Sequence, residues 1–257
     1  MINIICSKWG DKYEPIYVNR LYNMVKKHMP CEFKFYCQTE DAQGIDERIT
    51  ILPFLRDLPE STPDEMFSSD NWRNGKPRLW DRPKLNYFKP YCWGLTGLRI
   101  ALDLDVIIHN DMTPILNLYK GRPLTGRSWW HNPEHENNPD WKHRHGAKNN
   151  GGFYMWDDTQ LIDIWNDCIE HAERIYHIYT GGSDNFISQR HLDKFDFLPP
   201  SMYYSFNRGC KWPDDMERHK LRDDKIICVF NTDPNNSTNF ELHEAAQMYD
   251  KVEELWN

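Results

Sequence analysis

Apolar residues fall along this chain in short runs divided by polar, Pro- and Gly-bearing stretches, and the spacing inside each run changes from element to element. Residues 2–6 (INIIC) predict a short buried strand, followed by a polar loop over 7–11. Ile16, Tyr17, Leu21, Met24, Val25 and His28 then recur at helical spacing, and Pro30 stops that helix. FKFYC (33–37) and RITILPF (48–54) predict two more strands, with polar residues 38–43 between them. Strand, helix and strand at these lengths predict a right-handed βαβ unit on a parallel sheet.

Residues 55–83 are rich in Pro, Asp, Ser and Asn and predict a long surface loop with one short helical turn. A short helix is expected over 84–92, leading into the apolar run that ends ALDLDVIIHND (101–111), read as one buried strand. A helix over 111–119, a strand over 123–129 and a strand over 151–157 follow, with the polar, aromatic, His-rich segment 131–150 between the two strands. Asp157 and Gln160 predict a capping box for an amphipathic helix whose inner face carries Leu161, Trp165, Cys168, Ala172, Ile175 and Tyr179. Gly181-Gly182 breaks it, and a shorter helix begins near Asp184. KIICVF (225–230) predicts a late strand, and Thr238 with Glu241 a second capping box opening a terminal helix that turns Leu242, Ala245, Ala246, Tyr249, Val252 and Trp256 inward. The pattern implies an α/β fold: one domain over 1–257, three layers αβα, with a mainly parallel sheet. In such sheets ligands bind beyond the carboxyl ends of the strands, which brings the 7–13 loop, the 38–43 loop and the Asp103-Leu104-Asp105 triplet to one rim.

Composition narrows the class. With 39% hydrophobic and 14% aromatic residues, including 11 Trp, the chain is built for a large core rather than for disorder. A net charge of −8 disfavours non-specific binding to nucleic acid or anionic membrane. The seven cysteines are scattered and form no C-x-x-C pair, so reduced thiols and a cytoplasmic location are expected. The first residues do not resemble a signal peptide, and no apolar run reaches the roughly 20 residues that span a bilayer.

The chemistry concentrates at Asp103 and Asp105. Two acids inside an apolar run need a cation, because an unpaired buried carboxylate costs several kcal/mol. On a continuous strand both would point the same way and repel each other, a conflict that a divalent metal relieves.

These residues are the centre of an ordered set that resembles glycosyltransferases of the GT-A fold, the glycogenin and galactosyltransferase-like group. The set comprises the strand entering Cys6-Ser7-Lys8-Trp9-Gly10, Thr39-Glu40-Asp41, the helix with Lys84, Leu85 and Phe88, the D-x-D triplet, Asn150-Gly151-Gly152-Phe153, GSDNFIS (182–188) and Phe230-Asn231-Thr232-Asp233-Pro234. The resemblance implies Mn²⁺ or Mg²⁺ held by Asp103 and Asp105 against the diphosphate of a nucleotide-sugar, a UDP-sugar being favoured, because a hard cation stabilises charge on the departing diphosphate. Asn231 stands where the family usually has His as third ligand, with Asp233 or water as alternatives. Cys6, Lys8, Trp9, Tyr13, Asp41, Lys84 and Leu104 are implied around the donor nucleotide and phosphates, within a donor half over 1–110. In the acceptor half, 111–257, Asp184 and Asn185 are implied as the catalytic acid and amide near the transferred sugar. Asn150, Gly151, Gly152 and Trp130 are implied near sugar or acceptor. The alternative for Asp184 is a helix N-cap. Resemblance to the glycogenin-like group implies retention of anomeric configuration.

Other readings compete. Residues 71–89 hold six basic residues (Arg73, Lys76, Arg78, Arg82, Lys84, Lys89) against one acid, Asp81, with Trp72 and Trp80 between them. That patch either steers an anionic donor or marks a glycosyltransferase acting on a hydroxylated base in DNA, which would have to be flipped out of the duplex. The saccharide or glycoconjugate acceptor is preferred because the chain as a whole is acidic. A nucleotidyltransferase also uses paired acids and a metal, but the phosphate loop expected near its N-terminus is not evident. A carbohydrate-binding module is a further option. His131, His135, His143 and His145 match no standard zinc spacing and, with Trp129, Trp130 and Trp141, fit an acceptor-side loop better.

Overall fold

The structure is a computed structural model, and it describes residues 1–55, 72–73, 76–77, 82–136, 147–179, 182–213, 218–231 and 238–257. In chain order the strands and helices are β1 (Ile2–Lys8), α1 (Pro15–His28), β2 (Phe33–Thr39), β3 (Thr50–Leu52), β4 (Trp72–Arg73), β5 (Lys76–Pro77), α2 (Arg82–Leu85), β6 (Leu98–Leu102), β7 (Val106–Ile108), α3 (Thr113–Leu118), β8 (Leu124–Arg127) and α4 (Pro133–Glu136). They continue with β9 (Asn149–Asp157), α5 (Ile162–Ile178), α6 (Ser183–Arg190), β10 (Asp196–Phe197), β11 (Tyr203–Ser205), β12 (Ile227–Val229), α7 (Leu242–Met248) and α8 (Asp250–Trp256).

Seven strands form the central sheet in the order β10-β8-β9-β6-β1-β2-β3. It is mainly parallel: β9 alone runs against its neighbours β6 and β8. Strand side chains alternate, so each strand feeds two cores. Ile4, Phe35, Ile100, Phe153 and Met155 face one side, where α1, α7 and α8 bring Val18, Leu21, Val25, Ala245, Val252 and Trp256. Ile5, Tyr36, Ala101, Tyr154 and Trp156 face the other, where α5 and α6 bring Ile164, Trp165, Cys168, Ile175, Phe186 and Ile187. All seven cysteines are free thiols, and six of them are buried. Among the described residues, no helix is long and apolar enough to cross a membrane.

The structure departs from the sequence reading where tertiary contacts override local pattern. The apolar run 98–108 is two strands. β6 lies in the central sheet, whereas β7 pairs with β12 in a separate three-stranded sheet, β11-β12-β7. Asp103-Leu104-Asp105 is the crossing between the sheets, so strand alternation does not govern the two acids. The switch is made by backbone bonds: Asp103 N–H donates to Gly152 O at 3.2 Å, and Asp105 O accepts from Phe230 N–H at 2.9 Å.

The helix expected over 84–92 is a single turn, α2, that tightens into 3₁₀ turns at Asn86–Phe88 and Cys92–Gly94. Pro90 offers no N–H to continue it, and Tyr91 and Trp93 adopt positive φ of 50° and 56°. The terminal helix is broken at Tyr249 and starts after Glu241, whose capping box is closed by Glu244 rather than Thr238. Asn207 dictates that start: its amide accepts from Phe240 N–H and donates to Phe240 O, each at 2.9 Å, which holds residue 240 outside the helix. Gln160 does reach back to Asp157 N–H at 2.8 Å, but this closes a turn, and α5 begins only after Leu161.

Candidate functional site

The carboxyl ends of β1 and β6, the Asn150-Gly151-Gly152 stretch of β9 and the start of α6 converge on one rim. Asp103 leaves β6 with its carboxylate oxygens 2.6 and 2.7 Å from the Lys84 ammonium at the end of α2. Burial pushes the Asp103 carboxyl up to about 7; Lys84 opposes the shift, while Asp105 and Asp184 add to it. Three carboxylates therefore share one field. Asp105 accepts from Tyr13 Oη at 3.1 Å. Burial raises the Tyr13 phenol well above its ordinary value, with Asp105 next in weight, so Tyr13 is a neutral donor here.

The loop carrying Tyr13 is tied to the C-terminal helices. Tyr13 packs on Tyr17 at 4.9 Å, Tyr17 Oη bonds His243 Nδ1 at 3.0 Å, and Lys12 pairs with Glu241 at 3.5 Å. Gly10 N–H donates to Glu40 at 2.7 Å, joining the two rim loops through an acid the sequence reading left without a role.

The acceptor-side residues are held from below. Asn150 Oδ1 accepts from Gly152 N–H at 3.2 Å and from the Tyr203 hydroxyl. Asp184 lies in the first turn of α6, where a carboxylate suits the helix dipole; the N-cap is Gly182, so the N-cap reading of Asp184 is corrected. Asp184 Oδ1 accepts from Tyr154 Oη at 3.2 Å and Asn149 Nδ2 at 3.3 Å. Asn185 beside it is buried. The two glycines are demanded by this crowding. A Cβ on Gly151 would lie 2.5 Å from Asp184 Oδ1, and one on Gly152 would meet the Tyr203 hydroxyl.

Asn231 lies two residues beyond the end of β12, and its Oδ1 accepts from Ser205 Oγ at 2.6 Å. Lys8 closes β1 and is buried, and Trp9 follows it half-buried. Leu104 is buried between the two acids. Other expected residues stand apart from the rim surface. Cys6 is fully buried, its thiol 3.7 Å from Tyr36 O, so only its backbone can serve a ligand. Asp41 is exposed, and its carboxylate caps Gln43 N–H at 2.9 Å within its own turn. Trp130 is buried and stacked on Tyr203, with ring centroids 6.3 Å apart, which makes it a support beneath the site rather than a platform for a sugar. Tyr154, Tyr203, Ser205 and Asn149 were not legible as site residues: Tyr154 lies in a stretch that reads as a core strand, Asn149 in the polar segment before it, and β11, with Tyr203 and Ser205, was not foreseen as a strand. Side chains of Arg73, Lys76, Arg78, Arg82, Trp72, Trp80, His135, His143, His145, Trp141 and Asp233 lie outside the described residues.

The donor set suits a hard divalent cation in kind: two carboxylates and an amide oxygen, in a field already crowded with negative charge. Among the described residues, however, no group of three His, Cys, Asp or Glu side chains gathers to hold a metal. A cation here would rest on Asp103, Asp105 and the neutral Asn231, and would have to share them with Lys84, Tyr13 and Ser205.

No protein-family model and no curated protein matches the chain by sequence. Solved structures do match. The galactosyltransferase LgtC, in complex with donor and acceptor sugar analogs, aligns at TM-score 0.53 and 12% identity, over 98% of this chain and 96% of that one. The fold is the GT-A fold. Two further GT-A structures agree. The glycosyltransferase GlyE of Streptococcus pneumoniae aligns at TM-score 0.57 and 13% identity over all of this chain. The bifunctional glycosyltransferase WbbM aligns at TM-score 0.55 and 10% identity over 98% of it. The chain spans 61% of GlyE and 51% of WbbM. The GT-A assignment rests on layers and strand order, since identity this low shows the fold alone.

Proposed function

We propose that this protein is a metal-dependent glycosyltransferase that moves a sugar from a nucleotide-sugar, a UDP-sugar being favoured, to a hydroxyl of a saccharide or glycoconjugate. The observation that carries the reading is the meeting of Asp103 and Asp105, at the crossing between two sheets, with Asp184 at the start of α6. Bound Mn²⁺ or Mg²⁺ would be held by Asp103, Asp105 and Asn231 and would supply charge stabilisation to the departing diphosphate. In the reaction, the bond between the anomeric carbon and the diphosphate oxygen breaks. A bond from that carbon to the acceptor oxygen forms, and the proton of the acceptor hydroxyl passes to the departing diphosphate.

The chain's own residues supply the rest. Trp9 and Tyr13 offer aromatic surface for the base, and Lys8 lies beside them. Lys84 holds positive charge where the phosphates lie. Asp184 accepts hydrogen bonds from sugar hydroxyls, and Asn150, pinned by Tyr203, keeps a polar edge beside it. In the order implied by the glycogenin-like resemblance, the product retains its anomeric configuration. We read 1–110 as the donor half and 111–257 as the acceptor half of one domain.

The saccharide acceptor is preferred to DNA because the two lysines of the basic segment whose side chains are described are engaged locally, Lys84 on Asp103 and Lys89 at 5.8 Å over the Trp165 ring. A thermal-shift screen of nucleotide-sugars with and without Mn²⁺ tests the central reading. A UDP-sugar should stabilise the wild type only when metal is present and should leave Asp103→Ala unmoved; no metal-dependent stabilisation by any nucleotide overturns it. A gel shift on duplex DNA separates the acceptors: binding at low salt with a steep salt slope would favour DNA, and no binding at low salt removes it.

A further inference from the structure

We propose that Tyr154 is a positioning residue for Asp184, the last donor in a hydrogen-bond chain running Ser188, Asn149, Tyr154, Asp184. The inference rests on the reading of Asp184 as the group that faces the transferred sugar. Ser188 Oγ lies 2.5 Å from Asn149 Oδ1, Asn149 Nδ2 lies 3.0 Å from Tyr154 Oη, and Tyr154 Oη lies 3.2 Å from Asp184 Oδ1.

The direction of the chain follows from donor counting. Ser188 Oγ accepts two backbone N–H groups, from Lys148 at 2.7 Å and Asn149 at 3.2 Å. Its one proton must therefore go to an acceptor, and Asn149 Oδ1 is the acceptor in reach. That choice orients the Asn149 amide, so its Nδ2 donates to the phenol oxygen and also, at 3.3 Å, to Asp184 Oδ1 itself. The Tyr154 proton is left to point at Asp184 Oδ1. Each bond polarises the next, and all of them end on one carboxylate oxygen.

The geometry also links two elements. Asp184 and Ser188 are four residues apart on α6 and share one helix face, while Asn149 and Tyr154 belong to β9. Bonds at both positions fix the roll of α6 about its axis, and with it the direction of the Asp184 carboxylate. Gly151 completes the seat: a Cβ there would lie 2.5 Å from Asp184 Oδ1 and 3.2 Å from Tyr154 Oη, so the carboxylate rests directly on bare backbone. A phenylalanine would pack at position 154 equally well. The ring lies against Phe88 at 5.4 Å and Phe195 at 5.8 Å, and the residue is 1% exposed. Burying a hydroxyl among these rings carries a desolvation cost that only its hydrogen bonds offset.

The test uses the full chain with Mn²⁺ and two donor probes, UDP-glucose and UDP-galactose, reading kcat and KM for donor hydrolysis. Tyr154→Phe should lower kcat about tenfold and leave KM within about twofold, because a displaced carboxylate loses alignment rather than affinity. Tyr154→Phe added to Asp184→Asn should cost nothing further. Ser188→Ala, at the far end of the chain, should lower kcat by about threefold and provides a second variant if Tyr154→Phe folds poorly. A double-mutant cycle on urea unfolding between Tyr154→Phe and Asp184→Asn should show midpoint shifts that do not add. Non-additive unfolding with wild-type kcat in Tyr154→Phe would make the chain merely structural and overturn this inference alone. If neither donor is turned over, the nucleotide-sugar that stabilises the wild type with Mn²⁺ replaces them as the probe, and a wild type that no nucleotide-sugar stabilises with metal would overturn the parent reading and this inference with it.

Discussion

The ammonium of Lys84 sits between the two carboxylate oxygens of Asp103, 2.6 Å from one and 2.7 Å from the other. The first acid of the D-x-D triplet thus has a cation of its own before any metal arrives, and a metal has to share that carboxylate with a lysine. Removing the lysine by Lys84→Met should destabilise the metal-free protein by about 1–3 kcal/mol, since it leaves a partly buried carboxylate without its partner. Mn²⁺ should then raise the Tm of the variant by more than it raises that of the wild type. Equal shifts in the two proteins would show that Lys84 and metal do not compete for Asp103.

Asn231 presents an uncharged oxygen where the two acids present charged ones, and Ser205 Oγ already donates to that oxygen at 2.6 Å. Asn231→Asp keeps the shape and adds a negative charge. It should tighten Mn²⁺ binding several-fold in calorimetric titration, in line with the preference of hard cations for carboxylate over amide oxygen. Unchanged affinity would remove Asn231 from the ligand set.

Gly151 in β9 is pressed against Asp184, with Tyr154 Oη 3.2 Å from the position a Cβ would take. Gly151→Ala should cost about 1–3 kcal/mol in urea unfolding, the usual penalty for overpacking. Its effect on turnover should be larger in proportion, because the atom it displaces is Asp184 Oδ1. A variant with full activity and reduced stability would separate Asp184 from the chemistry.

His109 gives the molecule an acid limb. Its ring is 8% exposed and bonds the Tyr204 hydroxyl at 3.2 Å, and burial, followed by His28, lowers its pKa to about 4 from an ordinary 6.5. The unfolded chain therefore binds more protons than the folded one between those two values. The stability that neutral His109 contributes is fully present above pH 6.5 and is lost as pH falls toward 4, a loss of up to about 3 kcal/mol. Urea unfolding at pH 7.5 and pH 4.5 should show a smaller drop in His109→Gln than in the wild type; equal drops would place the acid sensitivity elsewhere.

Much of the scaffold was legible because local pattern and tertiary demand agree there. Tyr17, Leu21, Met24 and Val25 recur at helical spacing, and α1 buries all four together with Val18, while Ile16, read on the same face, is exposed. Ile4 and Ile5 alternate, and they do face opposite cores. The 84–92 helix and the single terminal helix were misread because their ends depend on partners distant in sequence. Asn207 decides where α7 begins, and Pro90 with the positive φ at Tyr91 breaks the turn after α2.

By itself the sequence determined the composition of the layers, the presence of acids in an apolar run, and glycines where β9 meets α6. These follow from side-chain type and period, which are local properties. Only the tertiary structure decided what those acids do. A continuous strand would have set Asp103 and Asp105 side by side, but the run divides because Leu98–Leu102 and Val106–Ile108 find partners in different sheets. Hydrogen-bond partners are chosen in three dimensions, and the pairings of Lys84 with Asp103, Ser205 with Asn231 and Tyr154 with Asp184 follow from no local period.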